Sequence, residues 1–195
     1  MDKKTVKKQE IIKSSIELMF EHGYNGTGVK DLTDAAGIPK GSFYNYFVNK
    51  EDYAKEALEY YHYEMGKNQS DTLTDKNLKP VERIKQFFTT MIEGISHDAT
   101  FHKGCFVGKM TQEMSGVSDA IQVATDQLHM DVIHKITVNI EEAIEIGMID
   151  KDKDSALIAE FIYNSWHGAL QRLKSTRDRK TLDNFYKIMV EVLLK

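Results

Sequence analysis

The chain has one cysteine, Cys105, and two prolines, Pro39 and Pro80, in 195 residues. A single cysteine excludes an intrachain disulfide and fits a reducing compartment. So few prolines leave long uninterrupted stretches, and none alternates apolar and polar residues as a half-buried strand would. The expectation is an all-α protein of about nine helices. No run approaches the ~18 apolar residues of a membrane span. The start, MDKKTVKKQE, is basic but lacks the apolar core of an export signal. These absences predict a cytoplasmic protein with no membrane partner. There is also no nucleophile elbow, phosphate loop or Rossmann glycine pattern, which argues against an enzyme and against a bound cofactor. The histidines do not fill that gap. His129 and His134 are five apart and share no helical face, and His97 and His102 flank a loop with Asp98. None shows the paired i, i+4 ligands of a helical zinc site, so no metal is expected.

What is present is uneven. The apolar fraction is 41%, enough for a packed core, and the length fits one large domain or two small ones. Residues 1–50 carry 8 Lys/Arg against 6 Asp/Glu, a net +2, whereas residues 51–195 carry 18 against 24, a net −6. The positive excess sits with the stretch Val29 to Lys50, VKDLTDAAGIPKGSFYNYFVNK. Val29, Leu32 and Ala36 share one helical face. Gly37 ends that helix in a left-handed cap. Pro39 suits the first turn of the next, read as Lys40 to Phe47. Phe43 and Phe47, four apart, turn inward and leave Lys40, Gly41, Ser42, Tyr44, Asn45 and Tyr46 outside. Glycine admits a phosphate close to the backbone, hydroxyls bond phosphate oxygens, and lysine and asparagine can read base edges. The pattern is a helix-turn-helix with its recognition helix second. Lys3, Lys4, Lys7 and Lys8 form a basic arm ahead of it, either a phosphate or minor-groove contact or a solvated helix start.

IIKSSIELMFEHGY, then GVKDLTDAAGIPKGSFYNYF, then NKEDYAKEAL resembles the DNA-binding domain of the TetR family of bacterial transcriptional regulators over roughly the first sixty residues. The chain departs from the family's usual residues at Gly28, with Thr27 one place earlier, and at Pro39. The resemblance implies a helix-turn-helix domain over residues 1–49 and a helical ligand-binding and dimerisation domain over residues 50–195. It implies base-edge contacts from Lys30 and Lys40, phosphate contacts from Tyr44 and Lys50, and a further hydroxyl contact from Thr27.

In the body, helices are expected at about Glu51–Lys67, Pro80–Ser96, Cys105–Met114, Ser118–Ile146, Asp154–Lys174 and Lys180–Leu194, with polar loops at 68–79 and 97–104. The Asp154–Lys174 helix carries two apolar stripes. Leu157, Phe161, Ser165 and Gly168 form one; Ile158, Ile162, Trp166, Ala169 and Leu173 form the other. One can face the core, and the second needs a partner. In TetR-like proteins the last two helices pair with their copies, so a homodimer is implied, with Trp166 or Phe185 at or beside the interface. The resemblance also implies a small-molecule effector. Its candidate lining residues are Phe87, Met91, Cys105, Phe106, Met110, His129, Phe161 and Trp166, with Phe88, Phe101, Met114 and Tyr163 nearby. The alternative for each is plain core. Cys105 follows Gly104 at a helix start beside Lys103, where a helix dipole and a cation lower a thiol pKa. That segment resembles those of family members that respond to electrophiles, and the alternative is a small buried apolar group. The implied function is a repressor released from a near-palindromic double-stranded DNA operator by its effector, the two affinities being reciprocally coupled. Alternatives are an activator or corepressor-dependent regulator of the same fold, or an all-helical enzyme or carrier.

Overall fold

The computed structural model describes residues 3–97 and 104–195, and among these all regular structure is helical. The helices are α1 (Lys3–His22), α2 (Val29–Ala35), α3 (Lys40–Phe43), α4 (Lys50–Tyr60), α5 (Lys67–Thr72), α6 (Pro80–His97), α7 (Phe106–Met114), α8 (Asp119–Glu145), α9 (Ser155–Thr176) and α10 (Lys180–Ile188). A π-helical turn extends α4 over Tyr61–Met65 and another extends α10 over Met189–Leu193. None of the described helices is long and apolar enough to cross a membrane. The chain divides into two compact units, Met1–Met65 with Cys105–Leu128, and Gly66–Gly104 with His129–Lys195.

In the first unit, α1 buries Ile11, Ile12, Ser15, Ile16 and Met19, of which Ile12, Ser15, Ile16 and Met19 stand at i, i+3, i+4 and i+7 on one face. Gly23 closes α1 at φ +81°, its N–H donating to the Met19 carbonyl at 2.9 Å. Leu32 of α2, Phe43 of α3, Phe47, and Tyr53, Ala54, Ala57 and Leu58 of α4 complete this core. The Tyr53 hydroxyl shares a 2.8 Å hydrogen bond with Ser15, so the buried polar atoms satisfy each other. A reciprocal cap starts α4: Asn49 accepts from the Asp52 N–H at 2.8 Å, and Asp52 accepts from the Val48 N–H at 2.9 Å.

In the second unit, Phe88, Trp166 and Phe185 form an aromatic centre with ring centroids 5.1–5.6 Å apart. Arg83, buried on α6, is held by Glu142 of α8 through a forked pair at 2.7 and 3.2 Å and by Asn139 at 3.1 Å. That fork satisfies a charge whose isolated burial would be costly.

Several elements differ from the sequence reading. The second helix of the helix-turn-helix ends at Phe43 rather than Phe47. Asn45 and Tyr46 donate to carbonyls three residues back, at 3.2 and 3.0 Å, a tighter winding that leads into extended Asn49. The α4 helix changes to a π turn at Tyr61, whose ring packs on Phe20 and Phe106 at 5.7 and 5.5 Å. The loop expected at 68–79 contains α5. Tertiary contacts order its exit: Leu73 is buried, its carbonyl accepts from Asn139 at 2.9 Å, and the Asp75 carbonyl accepts from Arg83 at 2.7 Å. The expected loop at 97–104 falls largely outside the described residues, and with it Asp98, Phe101, His102 and Lys103.

Candidate DNA-binding face and effector site

α3 is short, yet it is rigidly backed. Phe43 and Phe47 lie 5.0 Å apart, and Tyr53 packs on them at 6.0 and 5.1 Å. This aromatic wedge orients everything on the opposite side. Lys40, Gly41, Tyr44 and Asn45 are exposed there, while Ser42 and Tyr46 are half-buried. Gly41 has open space where a Cβ would stand, so the fold itself does not require glycine at that position. Lys30 is exposed on α2 and paired with Asp34 at 2.7 Å, an interaction that raises its pKa through the hydrogen bond and the nearby charge. Such an exposed pair is weak and easily exchanged for another anion.

Two expected contacts lie elsewhere. Thr27 is 1% exposed, and its hydroxyl donates to the Gly23 carbonyl at 2.8 Å and the Leu18 carbonyl at 3.3 Å. Its expected hydroxyl contact to phosphate is therefore corrected: the side chain caps the end of α1 from inside. The Lys50 ammonium turns back on the same turn, donating to the Tyr24 carbonyl at 2.9 Å and the Thr27 carbonyl at 3.1 Å. Partial burial lowers its pKa, opposed by the charge of Glu113.

The eight expected effector residues fall in both units. In the first, Phe106 and Met110 are fully buried, and Phe106 meets Phe20 and Tyr61 edge-on at 5.6 and 5.5 Å. Cys105 is half-buried at the N-cap of α7, one place before the first turn, and its side chain makes no capping bond. In the second unit, Phe87 and Trp166 are buried and Met91 and His129 half-buried. Phe161 is 55% exposed, so within the single chain it lines no enclosed space.

His129 leads to a cluster that sequence reasoning found only in part. Its Nδ1 lies 3.1 Å from the Tyr163 hydroxyl, and its ring centroid is 5.0 Å from that of His167. His167 in turn packs 4.8 Å from Tyr163. Among the described residues, the buried Nε2 of His167 has no hydrogen-bond partner. Burial, with a smaller effect from His129, pushes the pKa of His167 down to about 4, so its ring is neutral at pH 7. The sequence signal available for His167 was its position one turn beyond Tyr163 on α9.

Residues 11–57 match the family described as bacterial regulatory proteins, tetR family. Residues 80–189 match the tetracyclin repressor-like C-terminal domain. The HTH-type transcriptional repressor DhaR of Mycobacterium sp. (strain GP1) is 32% identical over 191 residues, covering 98% of this chain and 94% of its own. The regulatory protein TetR from Rhodobacter sphaeroides, a crystal structure, superposes with TM-score 0.84 at 30% identity, over 94% of this chain and 96% of its own. The reduced form of E. coli NemR superposes with TM-score 0.87 at 24% identity, over 95% and 96% of the two chains, a likeness of fold. With an exposed recognition helix on an aromatic wedge and both domain matches in place, the chain belongs to the TetR family of bacterial regulatory proteins and is a DNA-binding transcriptional regulator.

Proposed function

We propose that this regulator is a repressor that binds a near-palindromic operator as a homodimer and is released by a small molecule. The observation that carries the reading is the uncovered outer face of α3, where Lys40, Gly41, Tyr44 and Asn45 stand exposed over buried Phe43 and Phe47. Residues 1–49 form the DNA-binding domain, and residues 50–195 form the effector and dimerisation domain. Lys30 and Lys40 read base edges. Tyr44, Ser42, Asn45 and Tyr46 hold the backbone with Gly41, and Lys50 acts mainly by fixing the turn before α2.

Dimerisation runs through α9 and α10. Leu157 and Phe161 on α9, and Ile188 and Val192 at and just beyond the end of α10, are all more than half exposed. Large apolar side chains grouped this way support a partner surface. Trp166 and Phe185 supply the buried layer beneath.

The effector is taken up in the helical body. Phe87, Met91 and Trp166 offer apolar surface, and His129, Tyr163 and His167 offer polar groups. A neutral His167 whose Nε2 has no partner among the described residues favours an uncharged ligand carrying a hydrogen-bonding group over an ion. Cys105, Phe106 and Met110 support α7 in the first unit. The reading is tested by electrophoretic mobility shift of the duplex upstream of the chain's own gene. A shift resistant to excess unrelated duplex is expected, and equal competition by unrelated DNA overturns it.

A further inference from the structure

The last four carbonyls of a helix lack intrahelical partners and carry the negative end of its dipole. At the end of α1 two of these carbonyls are claimed by one distant side chain. Lys109 of α7 places its Nζ 2.9 Å from the Phe20 carbonyl oxygen and 2.8 Å from that of Glu21. One turn on along α7, Glu113 accepts from the Asn25 N–H at 3.2 Å. Its carboxylate also lies against Gly23, where a Cβ would overlap it. Gly23 therefore meets two demands, a left-handed φ of +81° and the close approach of Glu113. On its other side the turn is held by Lys50 of α4, through the Tyr24 and Thr27 carbonyls.

Three charged side chains thus fasten residues 20–27, and two of them come from α7. The turn delivers the chain to Gly28, the N-cap of α2, which has no side chain of its own to cap that helix. The Asp31 carboxylate accepts from the Gly28 N–H at 2.8 Å. The entry of α2 is consequently set by how the preceding turn is held. α2 positions α3, so the hold extends to the face that meets DNA. α7 is itself seated by Phe106, which packs on Phe20 and Tyr61.

We propose that Lys109 and Glu113 are positioning residues for the helix-turn-helix, fixing the α1–α2 turn so that α2 and α3 are preorganised for the major groove. This rests on the DNA-binding reading. Neither side chain lies on the α3 face, so neither touches DNA in this account.

The test compares the parent with Lys109→Met, Lys109→Arg and Glu113→Ala in three measurements. Amide hydrogen exchange needs no DNA. Faster exchange over residues 23–36 is expected in Lys109→Met and Glu113→Ala, with α9 and α10 unchanged. Unchanged exchange in the turn overturns the proposal. Operator affinity follows from fluorescence anisotropy with a labelled duplex from upstream of the chain's own gene. Loss by about tenfold or more is expected for Lys109→Met, with Lys109→Arg largely restoring it. The salt dependence of binding is expected to keep its slope, because no phosphate contact is lost. A slope reduced by about one would mean that Lys109 touches a phosphate directly, which overturns the positioning role. A lower melting temperature with unchanged affinity of the folded protein would make the residues merely structural and also overturns it. If the parent itself shows no specific binding, the DNA-binding reading fails, while the exchange result still decides whether the turn is held as described.

Discussion

Lys50 and Tyr24 meet face to face at the start of α4: the ammonium sits 4.0 Å from the Tyr24 ring centroid and donates to the Tyr24 carbonyl at 2.9 Å. The contact combines a cation–π attraction with a charge-assisted hydrogen bond. Lys50→Met keeps the stem and removes both. Its unfolding free energy in urea is expected to fall by about 2 kcal/mol, the scale of a hydrogen bond to a charged group. A fall in operator affinity without any fall in stability would instead make Lys50 a phosphate contact only.

Tyr44→Phe and Lys40→Ala separate the two kinds of DNA contact. The first keeps the ring on the exposed face and removes the hydroxyl, so it is expected to weaken binding to every sequence alike. The second is expected to relax preference at one base pair by about 1–3 kcal/mol. Binding of each folded variant to a set of singly substituted duplexes distinguishes the two patterns. Unchanged affinity and specificity in the double variant would remove both residues from the interface.

For the assembly, Phe161→Asp is expected to give a folded monomer with poor operator affinity in sedimentation velocity and anisotropy. The sequence pointed to Trp166 or Phe185 for such a test. Both are buried against Phe88, so a charge there would unfold the unit before it reported on pairing. A dimer that survives Phe161→Asp and Leu157→Asp together would place the interface elsewhere.

Acid stability is expected to fall in two separable windows. His167 is held neutral, its pKa down from 6.5 to about 4 by burial and then by His129. An unfolded chain takes up that proton first, so this contribution is complete above pH 6.5 and is lost as pH falls toward 4. Glu142 is held ionised by hydrogen bonds from Arg83 and then Lys76, its pKa down from 4.5 to about 2. Its contribution is complete above pH 4.5 and is lost as pH falls toward 2. Urea midpoints across this range should lose the upper window in His167→Phe and the lower one in Glu142→Gln. His167→Phe is also expected to melt higher than the parent at pH 7, by relieving a buried nitrogen that has no partner among the described residues, worth about 1–3 kcal/mol.

Local patterns carried the DNA-binding half well. The spacing of Ile12, Ser15, Ile16 and Met19 lies within α1, that of Phe43 and Phe47 runs from the end of α3 into the turn after it, and the structure buries all of them. What escaped depends on partners far along the chain. Thr27 looks like an exposed hydroxyl until the turn brings the Gly23 and Leu18 carbonyls to it. Lys109 and Glu113 look like the solvated side of a short helix, because their partners lie about ninety residues earlier. Periodicity gave α9 two apolar stripes, but only packing shows that Trp166 faces in and Phe161 out.

The most direct measurement is a nuclease footprint of the purified chain on the DNA upstream of its own gene. The account predicts two protected, symmetry-related half-sites about one helical turn, ~34 Å, apart, occupied by two chains together. Uniform protection without preferred sites, or a single unsymmetric site bound by one chain, would contradict it.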